Sequence, residues 1–549
     1  MQTIRAYRTP ALASLLAVAA LGSAAGAAGT WQAVSLAAPS ASGGGLMLLS
    51  DGTVLCKSQS GGTDGYGNIW NRLTPNAAGS YVSGTWTSIA PMIDTRLYFS
   101  SQILRDGRLY VAGGEYGTGL AKAEVYDPLT NAWTATPSPG ANISDANSEM
   151  LADGRVLQAR VAGTLRTTVI YNPVTNTFAT GPSTVGIHNE SAWVKLRDAS
   201  ILMVDRNSTA SERYRPSSNT WVADATVPVS LYDPYGLETG GAVLLPDGRA
   251  FFTGSTGKTA LYTSNPTGGV GSWAAGADIP GGQGTPDAPM AMMLNGKVLC
   301  AVSPAPTSAT HFPTPTAFYE YDPVTNTFTQ VGAPGGGTTV NTQVFVWNFI
   351  NLPDGKIMAT RQGVSTYWVY TPDGAPLPEW KPSVMWAARA PNGTFTVTGT
   401  QLNGISEGSS YGDDWQMNTN YPVVRFTPMT GSNVWYARTL NWSSTGVQTG
   451  SAVVNTQMTL PAGLPLGTLR LTVTANGIAS DPYVFWNPNP GCLADLNLDG
   501  LVNGADMAIV LAGWGTPAAS TGGGDLTGDG MIGGDDLGVV LAAWGACPG

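Results

Sequence analysis

Histidine is almost absent from this chain: His188 and His311 are the only two in 549 residues. A centre built on several imidazoles would have to use both. Cysteine is nearly as scarce, at four residues, too few for a disulfide scaffold. Charged residues make up 11%, with 26 Lys and Arg against 36 acids. No basic stripe exists to neutralise phosphates, so nucleic acid is not an expected partner. Beyond residue 28 no stretch is long and apolar enough to span a bilayer. What is abundant is turn and aromatic chemistry: 70 Gly, 38 Pro and 17 Trp, the signature of a turn-rich, mostly β protein.

Residues 1–28 read as a signal peptide, with Arg5 and Arg8 before an apolar run and a small-residue Ala25-Gly-Ala27 cleavage site. The expected location is therefore extracellular or attached to a cell surface. The net charge of −10 is concentrated at the other end, where residues 491–549 hold seven Asp and no Lys or Arg.

Those aspartates form two copies of one pattern, thirty residues apart. Hard Ca²⁺ takes six to eight oxygens, and an EF-hand-type loop supplies them from positions 1, 3, 5, 7 (a carbonyl), 9 and 12. In the first copy these positions hold Asp495, Asn497, Asp499, the Leu501 carbonyl, Asn503 and Asp506. The second copy offers Asp525, Thr527, Asp529, the Met531 carbonyl and Asp536, with Gly533 at position 9. A weaker second site is expected, because Thr527 offers only a hydroxyl and a water must stand in at position 9. Val502 and Ile532 are expected to pair between the loops. Near-identical apolar helices follow, ending in Leu511-Ala-Gly-Trp514 and Leu541-Ala-Ala-Trp544. Cys492 and Cys547 flank the module and are expected to bridge, while Cys56 and Cys300 are expected to remain buried thiols.

This module resembles a type I dockerin, which carries Asp at loop position 12 and one helix after each loop. The resemblance implies calcium at two sites and a cohesin-type or other surface receptor as partner.

Internal repeats set the expected architecture of the body. A turn dipeptide recurs at Asp51-Gly52, Asp106-Gly107, Asp153-Gly154, Asp247-Gly248, Asn295-Gly296 and Asp354-Gly355, with Asp198-Ala199 as a degenerate copy. Spacings of 45 to 59 residues are close to the period of about 50 for kelch repeats. Downstream of four turns a tyrosine precedes a second aromatic by seven residues: Tyr126/Trp133, Tyr171/Phe178, Tyr214/Trp221 and Tyr321/Phe328. The expectation is seven four-stranded sheets closed into a β-propeller over residues 29–381, locked by an early strand around Trp31. Residues 382–487 leave the repeat and read as an immunoglobulin-like (early-set) sandwich. A linker at 488–491 leads to the small α-helical calcium module, 492–549.

The combination of propeller and sandwich resembles the galactose oxidase and glyoxal oxidase family. Tyr411-Gly-Asp-Asp414, Asn420-Tyr-Pro422 and Asn441-Trp-Ser-Ser-Thr-Gly446 are similar to the C-terminal domain of its bacterial relatives. The family holds one Cu²⁺ with two tyrosines and two histidines. Here the places of the last-blade ligand pair hold Phe345 and Val346, and no histidine follows residue 311. Copper is therefore not expected, and His188 and His311 read as solvated loop residues.

Four carboxylates share a register. Asp145, Glu190 and Asp287 each stand eight residues before a turn, and Glu238 nine before. This places them at the starts of inner strands, facing one mouth of a central channel, with Arg96 and Tyr98 as further ligand contacts at the rim. The leading expectation is a secreted, calcium-binding protein whose body binds a glycan or protein ligand and whose tail anchors it. The alternative is an extracellular polysaccharide-degrading enzyme that hydrolyses O-glycosyl bonds with these acids. A copper radical oxidase comes third, against the missing ligands.

Overall fold

The computed structural model describes residues 29–161, 166–390, 393–411, 415–518 and 523–547. The signal-peptide reading, on residues 1–28, lies outside them. So do residues 412–414 of the Tyr411-to-Asp414 motif.

The body is mostly β. Six four-stranded antiparallel sheets stand as propeller blades, and an eight-stranded sheet repeats the same meander in Pro289–Met292, Val298–Pro304, Thr316–Asp322 and Thr327–Val331. Local chemistry explains the repeat. In each Tyr/aromatic pair the two residues face each other across the outer strands, with ring centroids 5.1, 5.0, 5.6 and 4.9 Å apart. Each tyrosine hydroxyl donates to the Asn five residues on, at 2.9–3.0 Å. Those asparagines (Asn131, Asn176, Asn219 and Asn326) hold the left-handed turn position, φ 50 to 54°, which Asn tolerates better than other side-chain-bearing residues.

The ring closes through its N-terminus. Thr30–Ala33 pairs antiparallel with Trp368–Thr371 as the outer strand of the last sheet. Trp31 anchors it, 4.8 Å from the Tyr370 ring, with Nε1 donating to the Gly332 carbonyl at 2.7 Å. Cys56 and Cys300 are buried free thiols, and burial raises both well above the usual thiol range.

The axis of the ring is filled. Gly408–Tyr411 and Trp415–Asn418 form a ribbon that belongs by sequence to the C-terminal half but extends the sheet of Pro289–Met292, with Pro289 opposite Tyr411 and Ala291 opposite Ser409. Polar side chains tie it and its flanks to other sheets. Ser409 Oγ donates to Asn351 Oδ1 (2.8 Å), Ser410 Oγ accepts from the Ala242 amide (3.0 Å), Asn418 Nδ2 donates to Gln102 Oε1 (3.3 Å), and the Tyr421 hydroxyl donates to the Leu48 carbonyl.

Glu407, just before the ribbon, reaches the two remaining sheets. Its Oε1 lies 3.2 Å from Lys195 Nζ, and the same ammonium lies 2.7 Å from Glu149 Oε2. Burial opposes the Lys195 charge, but the two carboxylates outweigh it and hold the ammonium above its ordinary range. Burial, and then the charge of Glu407, push Glu149 well above the usual carboxylate range. One cation faces two carboxyl groups, and burial together with the second carboxyl group disfavours the ionised form of Glu149.

The remainder of 382–487 is one continuous eight-stranded sheet curved into a half-barrel, where a two-layer sandwich was expected. The physical reason is Trp435–Leu440: residues 435–437 pair with Val423–Pro428 while residues 438–440 pair with Val453–Thr459. A strand shared by both layers makes a corner and keeps the sheet continuous. Phe485 closes the interior, 5.1 Å from Phe395 and 4.9 Å from Phe426.

Replacing Lys195 by Met leaves two buried carboxyl groups without their cation. Loss of one partner from such a cluster costs about 3–5 kcal/mol. The expected result is a lowered urea midpoint, with Glu407→Gln milder because Lys195 keeps Glu149 as its carboxylate partner and the amide oxygen can still accept on one side.

Candidate functional site at the ribbon end of the propeller

The inner strands fix the positions of the four carboxylates. Asp145, Glu190 and Asp287 carry left-handed backbone at φ 42, 49 and 51°, as do Tyr98 at 51° and Leu237, beside Glu238, at 65°. In a residue bearing a Cβ this conformation costs about 1–2 kcal/mol, and such strain gathers where a site over-determines the backbone. Backbone hydrogen bonds then join the rim: the Glu190 amide donates to the Asp145 carbonyl (3.0 Å) and the Asp287 amide to the Thr239 carbonyl (2.9 Å). The Thr239 hydroxyl donates to the Glu190 carbonyl at 3.4 Å.

Their side chains differ in setting. Asp145 is buried and accepts from Ser144 Oγ at 3.0 Å. Glu190 is ion-paired with Arg206, which neutralises it. Glu238 and Asp287 are half-buried. Among the described residues no three of these carboxylates bring an oxygen each within 4.8 Å of one another.

Arg96 is not a rim contact. It is fully buried, its guanidinium 3.0 Å from Glu124, with Nη1 donating to the carbonyls of Gly113, Gly119 and Lys122. It organises the 113–122 loop from below and has no face to offer a ligand. Tyr98 does reach the mouth. Its ring stacks on Tyr411 at the end of the ribbon (6.2 Å, 18°) and meets Tyr116 edge-on at 6.2 Å; Tyr116 in turn stacks on Tyr66 at 5.3 Å. Gln362 Nε2 donates to the Tyr98 hydroxyl at 3.1 Å. Tyr116 is 41% exposed, and its hydroxyl is pushed up to about 12 by partial burial and then by neighbouring Glu115. A tyrosine shelf thus lies beside the acidic rim. Of these only Tyr98 is a candidate from sequence, because Tyr66 and Tyr116 come from separate loops and Tyr411 from the axial ribbon.

The position counted as a copper tyrosine, Phe345, sits in the short turn Val344–Val346 with its ring edge-on to Phe312 at 4.7 Å. His311 is exposed. His188 is not solvated: it is 2% exposed, lies edge-on to Trp193 and Trp221, and places Nε2 2.9 Å from Glu212 Oε1. Its burial comes from aromatics contributed by neighbouring strands, which its own loop sequence does not announce.

In the C-terminal module Cys492 and Cys547 are bridged across 55 residues, Cα atoms 5.5 Å apart. Closing a loop of that length stabilises by about 4 kcal/mol in the chain-entropy account. The loop oxygens turn inward. Asp495 accepts from the Asp499 and Gly500 amides, and Asp506 from the amides of Leu496, Asn497 and Asn503. Asp525 and Asp536 repeat this in the second loop, where the Thr527 hydroxyl donates to Asp536 Oδ1 at 2.9 Å. Asp499 and Asp529 accept from the Leu501 and Met531 amides. The donor set is all oxygen, which suits a hard cation. Among the described residues the loop aspartates do not gather three oxygens within 4.8 Å; the trio that does is Asp495 with the two bridged cysteines. The loops do not pair with each other. Leu501–Val502 pairs with Gly545–Ala546, and Ile532 with residues 515 and 516, so each loop is clamped by the segment after the opposite helix. Val502 and Ile532 meet only as core side chains.

Residues 105–140 match the Kelch motif. A segment of this chain is 33% identical over 108 residues to spermatocyte protein spe-26 of Caenorhabditis elegans, covering 17% of this chain and 18% of that protein. Another comparison gives 34% over 91 residues with Kelch-like protein terF of Aspergillus terreus, 15% of this chain and 20% of that protein. The chain thus spans about a fifth of the curated relatives it matches. Among solved structures, a copper-bound fungal alcohol oxidase of the AA5 family aligns with TM-score 0.49 and 13% identity, over 84% of this chain and 99% of that one. The chain thus carries a Kelch motif within a mostly β body.

Glu212 gives a pH signature. Burial opposes its ionisation, but the hydrogen bond and charge of His188 and the amides of Val185 and Gly186 outweigh burial and hold the carboxyl below the usual range. A depressed folded-state value contributes stability above the unfolded value, about 4.3 for Glu, and loses it as pH falls through the folded one. Glu212→Gln is expected to be less stable than the parent by about 1–3 kcal/mol at pH 7, with the gap closing on acidification below about pH 4. Thermal unfolding across pH 3 to 7 checks it; a gap independent of pH refutes it.

Proposed function

We propose that this kelch-repeat protein is an exported, calcium-dependent glycan-binding protein, with the sugar held at the ribbon end of the propeller and the C-terminal module serving as an anchor. The observation that carries the reading is the tyrosine shelf of Tyr66, Tyr116 and Tyr98, backed by the buried Tyr411, beside the acidic rim. The apolar face of a pyranose packs on aromatic rings, and its hydroxyls donate to carboxylates; both are offered at one mouth. The ion pair of Glu190 with Arg206 favours binding over hydrolysis, which needs two acids with separated proton affinities. The polysaccharide-hydrolase alternative has no comparable observation behind it.

In this reading the meander within the eight-stranded sheet is a seventh blade, the half-barrel is a variant of the immunoglobulin-like domain, and the tail is a dockerin-type module. Asp495, Asn497, Asp499, Asn503 and Asp506, with the Leu501 carbonyl, would hold the first Ca²⁺. Asp525, Thr527, Asp529 and Asp536, with the Met531 carbonyl, would hold the second, more weakly. A receptor of cohesin type would meet Leu511, Trp514, Leu541 and Trp544, which are 48, 49, 54 and 52% exposed, unusually open for such residues. The disulfide and the outward face suit an oxidising, extracellular setting.

Two measurements test this. On a glycan array the parent protein should retain a defined set of neutral oligosaccharides, and Tyr116→Ala should weaken that retention about tenfold, about 1.4 kcal/mol. Absence of any retained glycan, or no effect of Tyr116→Ala, sinks the mouth assignment. For the tail, elemental analysis after dialysis against trace calcium should find the metal in both loops, and Asp495→Ala together with Asp506→Ala should empty the first. Full calcium content in that double variant rules out the ligand set.

A further inference from the structure

A second recess lies at the opposite end of the propeller, where the inner strands finish in their turns. From Asp287 at the rim to Asn295 in the turn is eight residues, or about 26 Å of extended strand, so this recess and the tyrosine mouth do not share walls. Its volume is about 740 Å³, within the range of about 300–1,000 Å³ for small-molecule sites. One wall is built from three successive turns, which contribute Arg197, Arg249 and Lys297; the other comes from Trp380, Gln401 and Gln448.

The three cations are not equivalent. Arg249 is paired with Asp247 at 2.6 Å, and Lys297 with Glu320 at 3.0 Å and Asp373 at 3.4 Å. Arg197 is exposed, and among the described residues no carboxylate pairs with its guanidinium. Its stem runs along the turn glycine: a Cβ at Gly248 would meet Arg197 Cδ at 3.2 Å, Gln448 Oε1 at 3.6 Å and Arg197 Nη1 at 3.8 Å. Gln448 is 7% exposed and cannot turn its amide, because Nε2 donates to the Leu245 and Ile405 carbonyls at 2.7 and 2.8 Å. Its Oε1 is thereby fixed beside Arg197. Trp380 is half-buried, with its indole edge over Gly296, where a Cβ would lie 2.5 Å from Cη2. The recess therefore offers one unneutralised guanidinium, one pre-set amide acceptor and one aromatic face.

We infer that this recess binds a short saccharide bearing a single carboxylate, of the uronic acid type. The carboxylate takes the Arg197 fork in bidentate geometry, a ring hydroxyl donates to Gln448 Oε1, and the pyranose face lies against Trp380. Ligands of high charge density are disfavoured, because Asp247, Asp322 and Glu379 also line the recess and repel further anionic groups. The inference stands independently of the mouth assignment, since the two sites share no residue.

Digalacturonic acid and its dimethyl ester are the probes, measured by titration calorimetry on the full-length protein at low salt. The acid is expected to bind at least tenfold more tightly than the ester. Arg197→Met should abolish that preference, and Trp380→Ala should weaken both probes. Arg197 is exposed, so its variant should keep the parental melting temperature, and Trp380→Phe supplies a milder packing change should the alanine variant fail to fold. Equal binding of acid and ester, no binding of either, or a preference that survives Arg197→Met each overturns the proposal.

Discussion

The ribbon of Gly408–Tyr411 and Trp415–Asn418, with Glu407 at its base, is the constraint on which the rest of the body depends. A ring of sheets around an axis has little to hold its inner strands at a common height, because each sheet bonds within itself. The ribbon supplies that reference. It bonds as a strand to one sheet, as single polar contacts to others, and through Glu407 and Lys195 to the last two. Lys195 and its two carboxyl partners contribute little net stability beside apolar packing, since burying the charges offsets most of their attraction. What they add is registry. A buried ammonium held between Glu149, Glu407 and the Thr445 carbonyl fixes which sheet faces which part of the ribbon.

From that registry follows the position of the mouth. Tyr411 lies opposite Pro289, two residues inside the strained Asp287, so the ribbon ends level with the rim. The left-handed residues at Tyr98, Asp145, Glu190, Leu237 and Asp287 are the points where each chain turns from the rim down into its inner strand. Glycine would relieve the strain at each of them. The side chains kept instead are carboxylates, a tyrosine and a leucine, and the first two kinds make the mouth polar and aromatic together. Fold and site are coupled here: the conformation that starts the strand also aims the side chain outward.

How much of this was legible depended on how local the cause was. The Asp-Gly turns and the Tyr/aromatic pairs act within ten residues, and the sheets appear where that spacing places them. The spacing of the carboxylates to their turns, eight residues for three and nine for Glu238, is a local property as well. Arg96 and His188 were misread because burial is decided by other strands. Arg96 disappears beneath a loop running from Gly113 to Lys122, and His188 is enclosed by Trp193 and Trp221. The axial ribbon was read as part of a sandwich because its alternation looks the same in either place. A period-2 pattern reports that two faces differ, not which sheet receives them. The recess at the turn end had no sequence signal at all, since Arg197 and Gln448 come together only through the docking of two halves of the chain.

The C-terminal module obeys the same logic at smaller scale. Its loops are clamped crosswise by the segments after the helices, and the disulfide ties its first residue to its last described one. The second loop also leans on the half-barrel: Trp486 packs against the module's core, and the Gly528 backbone comes so close to Arg389 that a Cβ there would lie 3.2 Å from its carbonyl oxygen. Thr527 and Gly533 make this the poorer loop in ligand chemistry, yet its backbone is braced by the half-barrel. The first loop has the fuller oxygen set and a side-chain contact alone, Leu498 Cδ1 lying 3.5 Å from where a Cβ at Gly467 would stand. Cation affinity depends on ligand number and on the rigidity of the cage together, so bracing offsets part of what the second loop lacks.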